Sequence, residues 1–328
     1  VPKLSLVQAV NLALAEEMER NPNVVLLGED IGKDGGVFRA TEGLLERFGG
    51  DRVVDTPLSE SALVGVAIGM SAYGYVPVVE IQFMGFLYAA MEQLLSHAAR
   101  LRSRSRGRYH CPIVVRTPYG GGIHAPEHHS ESTEALFAHV PGLKVVVPST
   151  PSEARGLLLS AIRDPDPVIF LEPAKIYRAV KEEFPNGKGE DGGVPLGRAR
   201  LAREGKDVTL IAWGAMLHPT LKAASRVADN GIDAEVVDLR SLSPLDNETI
   251  VISVKKTGRA VVVHEAPRTG GLGAEIAARI NEEALLELEA PVERVTGFDT
   301  PIPLPRLEDY YLPDMDRIVA AIQKVMEF

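Results

Sequence analysis

Four of the eight histidines, His124, His128, His129 and His139, fall within sixteen residues. Three of them follow the run Gly120-Gly121-Gly122. Three chemistries compete for this cluster. His124 and His128 stand four apart, a metal-ligand spacing, but Pro126 between them disfavours the helix that would put both on one face, and no thiolate stands with them. Solvated loop histidines are a second reading. An acid/base or oxyanion-stabilising histidine is the third, suited by an imidazole that titrates near neutral pH. Carboxylates form another set. Glu29 follows the apolar run 24–27, and Glu60 opens a helical stretch after Asp55-Thr56-Pro57-Leu58-Ser59. Taken alone, each reads as a capping or dipole partner. In Glu80 to Phe86, Phe83 and Phe86 offer flat apolar surface and Gln82 a polar handle; alone, the segment reads as core.

The elements that must hold these residues alternate. Val7, Val10, Leu14 and Met18 recur at helical spacing, and Asn21-Pro22 stops that helix. Continuous apolar runs at 24–27, 76–81, 113–117, 143–147 and 167–171 have the pattern of strands buried on both faces. Helical stretches at 59–73, 85–102, 132–139 and 151–163 lie between them. This order predicts βαβ units and a doubly wound parallel sheet, whose carboxyl edge is where such proteins bind ligands. The helix at 59–73 carries Ala62, Gly65, Ala67, Gly69, Ser71 and Ala72. It fits either close backbone packing on another helix or subunit, or plain cover for the sheet. A second α/β series follows, with strands at 207–213, 234–238, 260–264 and 292–296 and helices at 216–229, 247–256, 271–288 and 313–326. The polar, Gly-rich stretch between the two series reads as a linker. We therefore expect an α/β protein of two doubly wound domains, 1–185 and 200–328, joined by a linker at 186–199.

Composition narrows the classes. The chain has 328 residues, 45% hydrophobic and 24% charged, enough for two cores and unlike a disordered or disulfide-built protein. A net charge of −10 argues against a broad nucleic-acid surface. No apolar run approaches the ~20 residues of a membrane helix. One cysteine, Cys111, forms no internal disulfide, and with no signal peptide evident a cytoplasmic location is expected. Gly187 to Gly192 formally match G-x-G-x-x-G, but Phe184-Pro185-Asn186 precede and Gly193-Val194-Pro195 follow. Without a strand before and a helix after, this is no dinucleotide site, and a stand-alone nicotinamide dehydrogenase keeps only fold analogy. Gly270-Gly271-Leu272-Gly273 fits a tight strand–helix turn better than an anion site.

Read together, LLGEDIG (26–32), GGVFRATEGL (35–44), DRVVDTPLSESALVG (51–65), EIQFMGF (80–86), HSES (129–132), PGLKVVVPSTPSEARGLLLSAIRD (141–164), VVDLRSLSPLD (236–246) and KTGR (256–259) carry a resemblance over essentially the whole chain. The chain resembles the beta subunit of the thiamine-diphosphate-dependent, decarboxylating first component of 2-oxo acid dehydrogenase complexes. The resemblance implies a thiamine pyrimidine-binding domain with a parallel sheet, followed by a transketolase C-terminal-like domain. It implies that Glu60 hydrogen-bonds the aminopyrimidine ring, where a carboxyl sharing a proton with the ring nitrogen promotes deprotonation of the thiazolium carbon. Glu29 matches a supporting carboxylate, Phe86 the aromatic that stacks on the ring, and Leu58 and Gln82 positions of the pocket around it. His129 matches a catalytic histidine that positions the 2-oxo acid, stabilises the oxyanion or assists acyl transfer to a lipoyl group. Ala161, Ile162 and Asp164, with Ile113 and Asp166, resemble a structural potassium site made largely of carbonyls.

The GDG motif that anchors magnesium and the diphosphate in thiamine enzymes is absent from this sequence. The family carries it on a separate alpha subunit. The resemblance thus implies an alpha subunit in an α2β2 assembly, beta–beta pairing (a homo-oligomer when beta is isolated) and a dihydrolipoyl acyltransferase core as partners. GFLY (85–88) and GGGIHAPEHHS (120–130) look pyruvate-type, whereas FLEPAKIYRA (170–179), HEAPRTGG (264–271) and GFDTPIP (297–303) look closer to the branched-chain type. Pyruvate is favoured because the pyruvate-like blocks lie near the expected site. A non-catalytic docking subunit for the acyltransferase core is the alternative of another class. It accounts for neither carboxylate nor histidine in the matching positions.

Overall fold

The computed structural model describes residues 1–184 and 192–328. The first part of the expected linker, including the Gly187-Lys188-Gly189-Glu190-Asp191 run, lies outside the described residues. The chain divides into two compact units. One comprises Val1–Tyr119 and Leu136–Leu196, the other Gly120–Ala135 and Gly197–Phe328.

The first unit runs β1 (Lys3–Ser5), α1 (Leu6–Arg20), β2 (Val24–Gly28), α2 (Leu44–Phe48), β3 (Val53–Asp55), α3 (Glu60–Ala72), β4 (Val76–Glu80), α4 (Leu101–Arg104) and β5 (Val114–Tyr119). After a connecting helix, α5 (Glu134–Ala138), come β6 (Lys144–Val146), α6 (Pro151–Arg163), β7 (Val168–Pro173) and β8 (Lys181–Glu183). Strands β3, β2, β4, β5, β7 and β6 lie side by side in that order, all parallel. Every residue of β2, β5 and β7 is buried, which is why these strands read as mainly apolar runs rather than alternations. The helices start where the local chemistry says they should. Ser5 and Gln8 form a capping box on α1, and Thr150 caps α6 with Pro151 in its first turn. β1 and β8 form a small antiparallel pair apart from the main sheet.

Residues 85–102 do not form the single regular helix expected. Met84–Ala90 is a 3₁₀ turn, Gln93–His97 a π turn, and α4 follows only at Leu101. The buried side chains explain this. Met84, Leu87 and Ala90 are spaced by three, the 3₁₀ period, while Ala90, Leu94 and Ala98 are spaced by four. In α3 the buried face is Leu63, Val64, Ala67 and Ser71. An added Cβ at Gly69 would meet nothing within 4 Å, so close packing inside this chain does not require that glycine.

The second unit runs β9 (Arg200–Arg203), β10 (Val208–Ala212), α7 (Leu217–Ala228), β11 (Ala234–Asp238), β12 (Ser241–Ser243), α8 (Asn247–Thr257), β13 (Ala260–Pro267), α9 (Leu272–Ala284), β14 (Glu293–Gly297), α10 (Pro305–Tyr311) and α11 (Met315–Met326). Its sheet has the order β14-β13-β10-β11-β9, parallel except for β9 at the edge. Ile318, Ala321, Ile322 and Val325 give α11 a buried stripe at helical spacing. Asp246 and Asp314 cap α8 and α11, and Gly258 ends α8 in the left-handed conformation. Among the described residues, no helix is long and apolar enough to cross a membrane.

Cys111 precedes β5, is 1% exposed and receives a long contact from the Ser71 hydroxyl. Burial pushes its thiol up to about 11. At about pH 8 the native chain should therefore resist iodoacetamide, with stoichiometric labelling only after unfolding. Labelling of the native chain at the rate of a free thiol would contradict this burial.

Candidate functional site

Two groups of candidate residues are held by different units. In the first unit, Glu29 stands just past the carboxyl end of β2, and Gln82 just past β4. Glu60 occupies the first turn of α3. Parallel pairing of β2 with β3 and β4 brings these strand ends to one edge. There Glu29, Leu58, Glu60, Glu80 and Gln82 line a small cleft with Pro57 and Ile81. Leu58 is 71% exposed at its rim. Burial raises the pKa of Glu29, and the nearby charges of Asp30 and Glu60 add to the effect. The Glu29 carboxyl thus holds a proton more readily than a solvated one. Asp55, at the end of β3, accepts the backbone N–H groups of Gly32 (2.6 Å) and Lys33 (3.2 Å), which fixes the turn that follows Glu29. Phe86, half-buried, is not among the cleft-lining residues. Its ring packs edge-on to Phe83 at 5.8 Å, and Phe83 packs edge-on to Phe38.

Behind the cleft lies an ionic cluster that the sequence reading missed. Arg116 of β5 is 2% exposed. It donates to Glu172 of β7 in a fork (2.7 and 2.8 Å) and to Glu80 of β4. The Tyr177 hydroxyl donates to the same Glu172. Burial opposes the charge on Arg116, but Glu172 and Glu80 beside it drive its pKa upward. Burial pushes Glu80 up, against the pull of Arg116. Gly36, with φ +79°, passes so close to Glu80 that a Cβ there would stand 2.7 Å from its carboxylate. The available signal was a charged residue inside each apolar strand.

The residues of the expected potassium site gather where α6 ends. Lys144 donates to Asp164 (2.7 Å) and Arg102 to Asp166 (2.6 Å). The carbonyl oxygens of Ile113 and Ala161 accept from Val168 and Asp164. Among the described residues, no group of three or more His, Cys, Asp or Glu could hold a metal ion.

The histidine loop belongs to the second unit. The Gly120 N–H donates to the Glu131 carbonyl (2.9 Å) and closes its base. His129 is half-buried in a 3₁₀ turn, Glu127–His129, with the exposed His128 ring 6.5 Å away. Beside it, Ser130, Glu131, Ser132, Asp299, Thr300 and Tyr311 line an open cleft of about 410 Å³. Glu134, immediately after the loop, is fully buried and accepts from the Trp213 indole N–H (3.3 Å). Trp213 stacks on His264 (5.3 Å), also fully buried. Burial lowers His264 to about 4, with Arg294 adding to the effect, so the ring is neutral. An added Cβ at Gly271 or Gly273 would strike that ring (2.7 and 2.6 Å), which makes this glycine run a tight strand–helix turn.

Comparison with known proteins places these two units. Residues 2–180 match the transketolase pyrimidine-binding domain and residues 197–318 the transketolase C-terminal domain. A solved structure described as a split-gene transketolase, an inactive beta4 tetramer, superposes with a TM-score of 0.81 at 28% identity, covering 99% of this chain and 98% of that one. These matches define a two-domain, transketolase-type α/β protein. The chain is 50% identical to the pyruvate dehydrogenase E1 component subunit beta of Bacillus subtilis, over 99% of each. It is 48% identical to that organism's 2-oxoisovalerate dehydrogenase subunit beta, again over 99% of each. The chain belongs to the family of 2-oxo acid dehydrogenase beta subunits.

Burial pushes the Glu134 carboxyl from 4.5 up to about 7, against the pull of its hydrogen bonds. The unfolded chain releases this proton near 4.5, whereas the folded chain keeps it until about 7. Because the folded-state pKa is the higher one, stability falls as pH rises through that window. Glu134→Gln removes the loss. In urea titrations its advantage over wild type should grow from near zero at about pH 4 to roughly 3 kcal/mol at about pH 8. A difference that does not change with pH would refute the assignment.

Proposed function

We propose that this chain, with an alpha subunit, decarboxylates pyruvate and passes the acyl group to a lipoyl group on an acyltransferase core. The observation that carries the reading is the cleft at the ends of β2, β3 and β4, which gathers Glu29, Leu58, Glu60 and Gln82. Its donor set suits an aminopyrimidine. Two adjacent carboxyls, one with a raised pKa, face an apolar wall. Glu60, supported by Glu29, would hold the ring and share a proton with its nitrogen. Leu58 and Gln82 would flank it, and Phe86 would offer an aromatic face. When bound, thiamine diphosphate supplies the nucleophilic carbon and the electron sink that decarboxylation of a 2-oxo acid requires. His129 would orient the 2-oxo acid and stabilise the developing oxyanion. Magnesium and the diphosphate would be anchored by the alpha subunit, since the sequence has no GDG motif. A potassium ion at the end of α6 would rest on carbonyls of Ile113, Ala161 and Ile162, because Lys144 and Arg102 already engage Asp164 and Asp166.

Pairing as α2β2, docking on the acyltransferase core and a cytoplasmic setting complete the proposal. The pyruvate dehydrogenase relative and the buried free thiol support it. A branched-chain substrate is the second reading, favoured by the 170–179 and 264–271 blocks and by the 2-oxoisovalerate dehydrogenase relative.

Reconstitution with the alpha partner, thiamine diphosphate and magnesium tests both readings. Pyruvate should exceed 3-methyl-2-oxobutanoate in kcat/KM by about tenfold or more. The reverse order would select the branched-chain reading. Glu60→Ala should lower decarboxylation by about a hundredfold or more while the pair still assembles. Full activity in that variant would end the proposed role of Glu60.

A further inference from the structure

The loop that carries His129 is held in its first half by two carboxylates of its own unit. Glu265, in β13 and 3% exposed, accepts from the Gly121 N–H at 2.9 Å. Glu308, in α10 and 1% exposed, accepts from the Gly122 N–H at 2.6 Å and from the His124 N–H at 2.8 Å. Its second oxygen also lies 2.9 Å from the His124 ring nitrogen Nδ1. The backbone is left-handed at Gly120 (φ +83°), Gly122 (φ +93°) and His124 (φ +56°). Such alternation turns successive N–H groups toward one side and makes an anion-binding nest. Here the anions are the protein's own side chains.

The second half of the loop closes on itself. The His129 N–H donates to the Pro126 carbonyl at 2.9 Å and the Ser130 N–H to the Glu127 carbonyl at 3.0 Å. The Gly120–Glu131 hydrogen bond ties the two ends together. The grip of the two carboxylates falls on the first half of the loop. An apolar residue at 308 would keep α10 packed, but it would leave two part-buried amides without their carboxylate acceptor and a histidine in an unfavourable backbone region. A glutamine offers one acceptor oxygen where the loop presents two donors.

We infer that Glu308 and Glu265 are positioning residues: they clamp Gly121, Gly122 and His124 and so fix the turn that presents His129 to the 2-oxo acid. This rests on the reading of His129 given above, so the test separates the two. In the reconstituted enzyme, Glu308→Gln should lower kcat/KM for the 2-oxo acid by about ten- to a hundredfold, and half-saturation by thiamine diphosphate should not move. The double variant with His129→Ala should be no worse than His129→Ala alone. Independently of activity, amide exchange at Gly122 and His124 in the full chain should quicken by about tenfold or more, while Gly121 and β13 keep their protection. Glu265→Leu, which leaves no acceptor for the Gly121 N–H, should give the reciprocal pattern, with Gly121 released.

Losses that multiply in the double variant, or unchanged exchange at Gly122 and His124, would overturn the clamp. So would uniform acceleration through the second unit, which marks a merely structural residue. If His129→Ala alone keeps full activity, the reading of His129 falls, and with it the catalytic purpose of the clamp. The exchange data then still decide whether Glu308 holds the loop.

Discussion

A carboxylate taken out of water must be given donors or a proton, and this requirement shapes both units. In the first, Glu80 and Glu172 share the Arg116 guanidinium, and the Tyr177 hydroxyl supplies one more donor. In the second, Glu308 and Glu265 take backbone amides instead, three of them from one glycine-rich loop. Glu134 has the Trp213 indole as its side-chain donor and responds by holding its proton up to about 7. None of these groups contributes much net stability through its charge. What they contribute is geometry, because a buried carboxylate with fixed donors cannot move without leaving one of them unsatisfied.

The parallel sheets decide where that rigidity falls. A strand buried on both faces must give any polar residue it carries a partner, and parallel strands put equivalent ends on one edge. Glu80 ends β4, Glu172 lies near the end of β7 and Glu265 near the end of β13. The segment after β4 carries Gln82 and Phe86, and the loop after β5 carries His124, His128 and His129. Glu60 reaches the same edge from the opposite direction, as the first residue of α3, and Asp55 pins the turn after Glu29 through two amides. Gly36 completes the arrangement, since only a glycine lets the chain pass over the buried Glu80 carboxylate.

The sequence carried the strands and long helices plainly, because burial on two faces and amphipathic spacing both leave a pattern in residue type. It carried the cleft residues through motif blocks. It did not carry β3, β9 or α2, which are too short to show a period, nor the 3₁₀ and π turns of 84–97, where the buried spacing changes from three to four partway along. The partners of the buried charges were hidden for another reason. Arg116 and Glu172 are 56 residues apart, and Gly122 and Glu308 are 186 apart. Nothing local links a glycine-rich turn to a glutamate in a seven-residue helix that Pro305 opens. The visible trace was that Arg116, Glu172 and Glu265 each interrupt an apolar strand, a signal that a donor or acceptor must be waiting, without saying which.

The charges at the cleft also bear on why a chain of this size would act with a partner. Glu29 and Glu60 are close enough to raise the Glu29 pKa together with Asp30, so the field there is negative. A neutral aminopyrimidine tolerates that field and uses its carboxyls, whereas a diphosphate beside it would be repelled by several charges at once. In the second unit, the backbone amides of Gly121, Gly122 and His124 are taken up by Glu265 and Glu308. The described residues around the candidate site therefore suit the ring end of a thiamine cofactor and disfavour its anionic end. An absent GDG motif and a negative cleft are two forms of the same requirement. On the proposed reading, the positive charge and metal that hold a diphosphate would come from a second chain.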